Sequence, residues 1–283
     1  MSERTETTAP AAGPGEAGPG EAGLRGLSLV SILAGACELI PVPLLDDWAE
    51  SLVRRRAMAD LLREHGFEPT PGDVEVLAGL ETTGGCLRRA VVGSLVTLPL
   101  YLIKKIVRKL VFVLAIHEAV DAASALFHET YLLRHGLARG ALGSTPDGRV
   151  DRDSARRLRR AIEATIAGTD TRPLTRAVRG ALGGSRSAVA AAGARLGRRA
   201  SQARAAAAGA RAGGGEAAER AAEELPLERE ERELGGAVDR LNEAVWLQAP
   251  YRAALERRLE AHLAAAAGHR PAPTPEPPGG ASR

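Results

Sequence analysis

The chain is poor in the residues that most often anchor a core or an active site. Aromatics make up 3% of its 283 residues, and there are two cysteines, Cys37 and Cys86. Length alone allows two domains. Gly, Ala, Pro and Arg dominate both ends, however, so a packed core is expected in about half of the chain. Two cysteines in apolar or Gly-rich surroundings give no disulfide framework; reduced, buried thiols and a cytoplasmic setting are expected. There is no HExxH, no CxxC and no carboxylate cluster at helical spacing, which removes the common signatures of metal catalysis. No segment alternates apolar and polar residues as a half-buried strand would. The expected fold is all-α: an irregular helical bundle with an apolar hairpin, a long amphipathic central helix and disordered termini. Net charge is only +3, so a basic function must come from local patches.

Lysine is the scarcest charge. All three lysines, Lys104, Lys105 and Lys109, lie between positions 104 and 109. They sit in the longest apolar stretch, Leu87 to Gly136. No Pro or Gly interrupts Leu100 to His135, so one continuous helix is expected, with a kink or split at Pro99. At 100° per residue, Ile103, Ile106, Leu110, Val113 and Leu114 cluster on one face. Lys104, Lys105, Arg108 and Lys109 spread over the opposite face. A basic amphipathic helix of this kind lies on anionic membranes. The same pattern also serves a core helix with a solvated basic side.

Beyond Ala115 the pattern swaps. His117, Asp121, Ser124, His128 and His135 continue the apolar line, while Phe112, Ile116, Ala119, Ala123, Leu126 and Phe127 continue the basic one. Either the two halves pack against different neighbours, or the polar stripe is itself buried and must find partners. His117 and Asp121, four apart, form an acceptable pair of metal ligands. His128 lies roughly 16 Å further along the axis and cannot join them. A third ligand would come from Cys37, Glu38 or Cys86. No metal or other cofactor is expected.

Residues 1–23 and 268–283 read as disordered tails. Leu33-Ala-Gly-Ala-Cys37 is similar to a lipoprotein cleavage site, but the leader would be long and acidic and the Leu lies one place too far upstream, so lipidation is not expected. Leu27 to Leu45 is apolar but holds Glu38, Pro41 and Pro43, which suits a short helix and a Pro-Val-Pro turn better than a membrane span. Asp47 with Glu50 reads as a capping box for a helix from Trp48 to His65, stopped by Gly66. Arg54, Arg55 and Arg56 give that helix a basic belt that could face the same surface as Lys104–Lys109. The series from Glu38-Leu-Ile-Pro-Val-Pro-Leu-Leu-Asp-Asp47 through this arginine-rich helix to His65-Gly66 resembles the Ile-Pro-x-Pro helix-turn-helix of EcsC-like proteins. It is similar also to the membrane-associated helical domain that accompanies some bacterial GTPases. The resemblance covers about thirty residues and implies a helical hairpin near a membrane. The chain has no P-loop, so no nucleotide chemistry carries over.

Thr70 and Pro71 open a short helix, and Thr83-Gly84-Gly85-Cys86 reads as a plain turn. Ser144 to Gly148 is a turn. Helices follow at Asp151–Ile166 and after Thr171-Arg-Pro173, completing a core domain over 24–182. Residues 183–233 read as a linker: an Ala/Gly/Arg arm to Gly215, then acidic sequence. Arg186, Arg195, Arg198, Arg199, Arg204 and Arg211 could bind nucleic-acid phosphates, but no aromatic residue there could stack on bases. Nucleic acid is not the expected partner, and Glu216–Glu233 could neutralise the arm within the chain. Residues 234–267 form a C-terminal helical hairpin broken at Pro250, with Trp246 expected to dock on the core.

The functional expectation is a non-enzymatic helical protein, peripheral on the inner face of the cytoplasmic membrane. Its anionic-lipid contacts would be Lys104, Lys105, Arg108, Lys109, Arg54, Arg55 and Arg56, with the 27–45 hairpin inserted nearby. The alternatives are a soluble scaffold that binds a protein partner, a metal-dependent enzyme using His117 and Asp121, and a nucleic-acid binder.

Overall fold

Leu27 to Cys37 is apolar on every side of a helix, and such a helix needs cover all round. In the computed structural model it receives that cover from protein. The structure describes residues 21–40, 45–80, 100–145, 149–209 and 228–268, with the backbone alone at 21–22, 100–115, 204 and 206–209. The described helices are α1 (Glu21–Cys37), α2 (Leu45–Glu64), α3 (Pro71–Leu77), α4 (Leu100–Ala138), α5 (Arg152–Ala167), α6 (Arg172–Gly183), α7 (Arg186–Gly209), α8 (Glu228–Trp246) and α9 (Ala249–Gly268). Among the described residues there is no strand, only an isolated antiparallel bridge between Ser144 and Val150. The fold is all-α.

α1 is the axle of the bundle. It packs on α2, α4, α7 and α8, and Leu24, Leu27, Leu29, Ile32, Leu33, Ala34, Ala36 and Cys37 are all buried. The hairpin expected to enter a membrane therefore spends its apolar helix on the protein core. The Pro41–Pro43 turn that follows lies outside the described residues. Two close approaches fix the neighbours of α1. A Cβ on Gly35 would sit 2.5 Å from the Ala119 carbonyl oxygen of α4, and one on Gly193 of α7 would sit 2.3 Å from the Ala36 carbonyl oxygen. Backbones come this near only because the glycine at each crossing carries no Cβ.

Local signals explain most of the helix ends. Thr70 caps α3 in a full capping box with Asp73, and Pro71 sits in the first turn. Asp151 caps α5 by accepting from the Asp153 and Ser154 amides. The Asp47–Glu50 capping box does not form. α2 begins earlier, at Leu45, with Asp46 and Asp47 inside its first turn. Asp46 Oδ1 accepts from the Asp47 amide, and Glu50 is occupied by Arg54. Pro250 likewise lies within the first turn of α9 rather than between two helices.

The segment expected as a linker is corrected most. Residues 186–209 form α7, and Val189, Ala192, Leu196 and Ala200 line its buried face. Alanine is the best helix former, and the glycines between these residues let the helix lie close to α1. The acidic stretch starts a helix of its own at Glu228. Glu230 is fully buried there and accepts from Arg195 at 3.1 Å and Arg199 at 3.5 Å. Charge neutralisation within the chain thus takes place across a packed helix pair. The C-terminal hairpin is part of the same core: α8 packs on α1 and α6, and α9 on α4 and α5. Trp246 does not dock. The buried line of α8 runs through Leu234, Val238, Leu241 and Val245, and the next residue falls off it, leaving Trp246 51% exposed.

Gly35→Ala and Gly193→Ala are each expected to lower stability by about 1–3 kcal/mol through overpacking. Urea unfolding would register this as a lower midpoint at unchanged slope. Gly180→Ala, on an open helical site, serves as the control and should be neutral or stabilising. Unchanged midpoints for Gly35→Ala and Gly193→Ala would contradict the close approach.

Candidate functional site

The candidate surface is carried by α4. Gly35 of α1 meets Ala119 and Gly23 meets Arg134, so the two helices run antiparallel, with the end of α1 near Ala119. From Ala119 back to Leu100 the helix rises about 28 Å, whereas α1 ends about 3 Å beyond Gly35. The first turns of α4 thus continue past the end of the central helix. Helical period places Lys104, Lys105, Arg108 and Lys109 on one side of those turns and Ile103, Ile106, Leu110 and Val113 on the other. The side chains at these positions lie outside the described residues, as do Pro99, Gly84, Gly85, Cys86, Arg204 and Arg211.

Arg54, Arg55 and Arg56 do not extend this basic surface. Arg54 bridges Glu50 of its own helix and Glu129 of α4. Arg55 meets Glu75 at 2.9 Å, and Arg56 meets Asp60 at 2.7 Å. Glu129 is also held by Arg159 of α5, at 3.1 Å, and Arg159 donates to the Leu77 carbonyl. Carboxylates of α2, α3 and α4 consume the belt, which ties those helices together instead of facing headgroups.

His117 and Asp121 do meet, Nδ1 to Oδ2, at 2.9 Å, but with side chains 63% and 58% exposed. Among the described residues no group of three or more His, Cys, Asp or Glu is arranged to hold a metal ion. Cys37 is fully buried; burial, then the nearby Glu50, Glu38 and Asp46, push its thiol well above its ordinary value.

From Ser124 onward the polar stripe is buried. Helix α1 covers the side of α4 carrying Ala119, Ala123 and Leu126, and α6 and α9 cover the side carrying the stripe. Ser124 Oγ lies 3.2 Å from Thr175 Oγ1 of α6. His128 Nδ1 donates to the Ser124 carbonyl at 2.7 Å, which leaves Nε2 to accept from the Tyr251 hydroxyl at 2.6 Å. Tyr131 donates to Glu256. His135 Nε2 and Arg139 share Glu260, at 3.1 and 2.6 Å. Burial pushes the Tyr251 hydroxyl up to about 12, helped by Asp170. Burial also lowers the pKa of His128, outweighing the opposite pulls of the Ser124 hydrogen bond and of Glu129.

These contacts form a seam that fastens α9 to α4. The sequence carried its signal on one side only. His128 and His135 were visible as part of a stripe and Tyr131 was not; the partners Tyr251, Glu256 and Glu260 became partners only once α9 was docked.

The seam predicts a pH dependence. His128 is kept neutral in the fold, below the ordinary histidine value of about 6.5. Its contribution is complete above that value and is lost as pH falls from there through the lower folded value. The pKa of Glu260 is lowered first by Arg139 and then by His135, so its share is lost at lower pH. Between about pH 7 and about pH 5, His128→Gln should start less stable and lose less stability than the unsubstituted chain. Urea midpoints measured across that window check this, and parallel curves would refute it.

No family model matches the chain, and neither a curated protein nor a solved structure does.

Proposed function

We propose that this is a non-enzymatic, membrane-peripheral helical protein that binds an anionic lipid surface through the first turns of α4. The observation that supports this reading most is the unbroken helix from Leu100 to Ala138, which runs beyond the end of α1 and is basic on one side and apolar on the other by its period. Lying along the interface, Ile103, Ile106, Leu110 and Val113 would enter the acyl boundary. Lys104, Lys105, Arg108 and Lys109 would stay at headgroup level, where the compact lysine charge on its long stem is well suited. Among the described residues no helix is long and apolar enough to cross a membrane. The resemblance of residues 38–66 to EcsC-like and GTPase-associated helical domains points the same way. Peripheral placement on the inner face of the cytoplasmic membrane belongs to the same proposal.

Each cation near an anionic surface contributes about 1 kcal/mol at low salt. Changing Lys104, Lys105 and Lys109 together to Gln should therefore weaken binding roughly 100-fold. Co-sedimentation of the full chain with phosphatidylserine-containing vesicles tests this. Binding is expected to fall with added salt, to fail on zwitterionic vesicles and to fail in the triple variant. Equal binding by the variant, or none by either protein, would overturn the proposal in favour of a helical scaffold that meets a protein partner.

A further inference from the structure

Among the described residues, Trp246 and Leu247 are the large hydrophobic side chains left exposed, at 51% and 75%. They form the turn between α8 and α9. Arg252 stacks over the Trp246 ring, 4.9 Å from its centre, and donates to the Trp246 carbonyl. Gln248 donates to the Pro173 carbonyl, which ties the turn to the start of α6. Helix α6 buries Leu174, Val178, Ala181 and Leu182. Its other face presents Arg172, Arg176 and Arg179, all exposed and one helical line by spacing. Of these residues Arg172 faces the exposed Asp170, at 3.9 Å.

We propose that the Trp246–Leu247 turn and the Arg172–Arg176–Arg179 line form a second anionic-lipid contact. This rests on the reading that α4 lies on such a surface. Three features favour lipid as the occupant. The apolar element is a projecting turn, which a deformable bilayer accepts without a matching pocket. An aromatic ring with one wet edge suits the interfacial layer, where tryptophan is enriched. The excess of arginine complements phosphate, which it binds through its planar fork. The placement agrees as well. Helix α6 meets α4 at Ser124 and α9 meets it at His128. By helical period that is the side of α4 that carries Ile103, Ile106, Leu110 and Val113 in its first turns. The turn and the apolar stripe therefore share one side of the long helix.

Trp246 can report its own insertion. The only other tryptophan, Trp48, is partly buried against the core, so Trp48→Phe leaves Trp246 as the sole reporter. The full chain with this change is mixed with phosphatidylserine vesicles, with and without brominated acyl chains, and the unsubstituted chain is run alongside. A blue shift with bromine quenching is expected, together with a roughly 100-fold loss of vesicle affinity in the Arg172→Gln, Arg176→Gln, Arg179→Gln variant. Arg172, Arg176 and Arg179 are exposed, and unchanged urea midpoints in every variant would certify the fold. Vesicle binding with an unshifted, unquenched Trp246 would overturn the second contact and leave the α4 reading standing. A shift that survives intact in the Lys104, Lys105, Lys109 to Gln variant would support the turn as a contact and overturn the α4 reading. Absence of vesicle binding by any of these proteins would overturn both.

Discussion

The bundle depends on how closely its neighbours can approach α1. Gly35 receives the Ala119 carbonyl of α4, and Gly193 of α7 receives the Ala36 carbonyl of α1. Once these backbones touch, the apolar side chains around them have fixed partners. The rest of α1 is then buried from Leu27 to Cys37, with Val30 half-buried. With 3% aromatics, the protein has few large side chains to fill space between helices. It makes the helices lie close instead, with Ala and Gly at the crossings and Leu, Ile and Val between them.

Charge sorts the outer helices around this core. Glu129 gathers Arg54 and Arg159, so one buried carboxylate joins α2, α4 and α5. Glu230 gathers Arg195 and Arg199 and joins α7 to α8. Breaking such a group by removing one partner strands the others without water, which costs more than the pair itself contributes. In an arginine-rich chain these buried acids act as sorting devices: they decide which arginines turn inward. Those left on the surface, such as Arg172, Arg176 and Arg179, meet no buried carboxylate among the described residues; Arg172 has only the exposed Asp170 at 3.9 Å.

What was legible in the sequence follows from range. Thr70-Pro71-Gly72-Asp73 announces its capping box within four residues, and the Asp151 cap is equally local. The uninterrupted run from Leu100 reads as a helix because nothing in it breaks one. Glu50–Arg54 and Arg56–Asp60 were also within reach, at helical spacing, and they foretell that the arginine belt is not free. Glu129, Glu75 and the α9 acids are long-range partners, and no local pattern identifies them. Two misreadings share one cause. A run such as Ala190-Ala-Ala-Gly-Ala-Arg-Leu-Gly197 resembles a linker by composition, yet those small residues are what allow α7 to pack on backbone. Likewise Leu27–Cys37 has the apolarity of a membrane segment, and only the helices around it reveal that protein takes the place of lipid.

The structure shows α1 as a core helix covered by protein, and the proposal assigns lipid contact to the first turns of α4. Amide hydrogen exchange on the full chain, with and without anionic vesicles, separates the two directly. The account predicts that Leu27–Cys37 exchanges among the slowest segments and is unchanged by vesicles, while 100–115 gains protection when vesicles are added. Fast exchange in α1 that slows on vesicle addition, with 100–115 unaffected, would contradict it and return the apolar hairpin to the membrane.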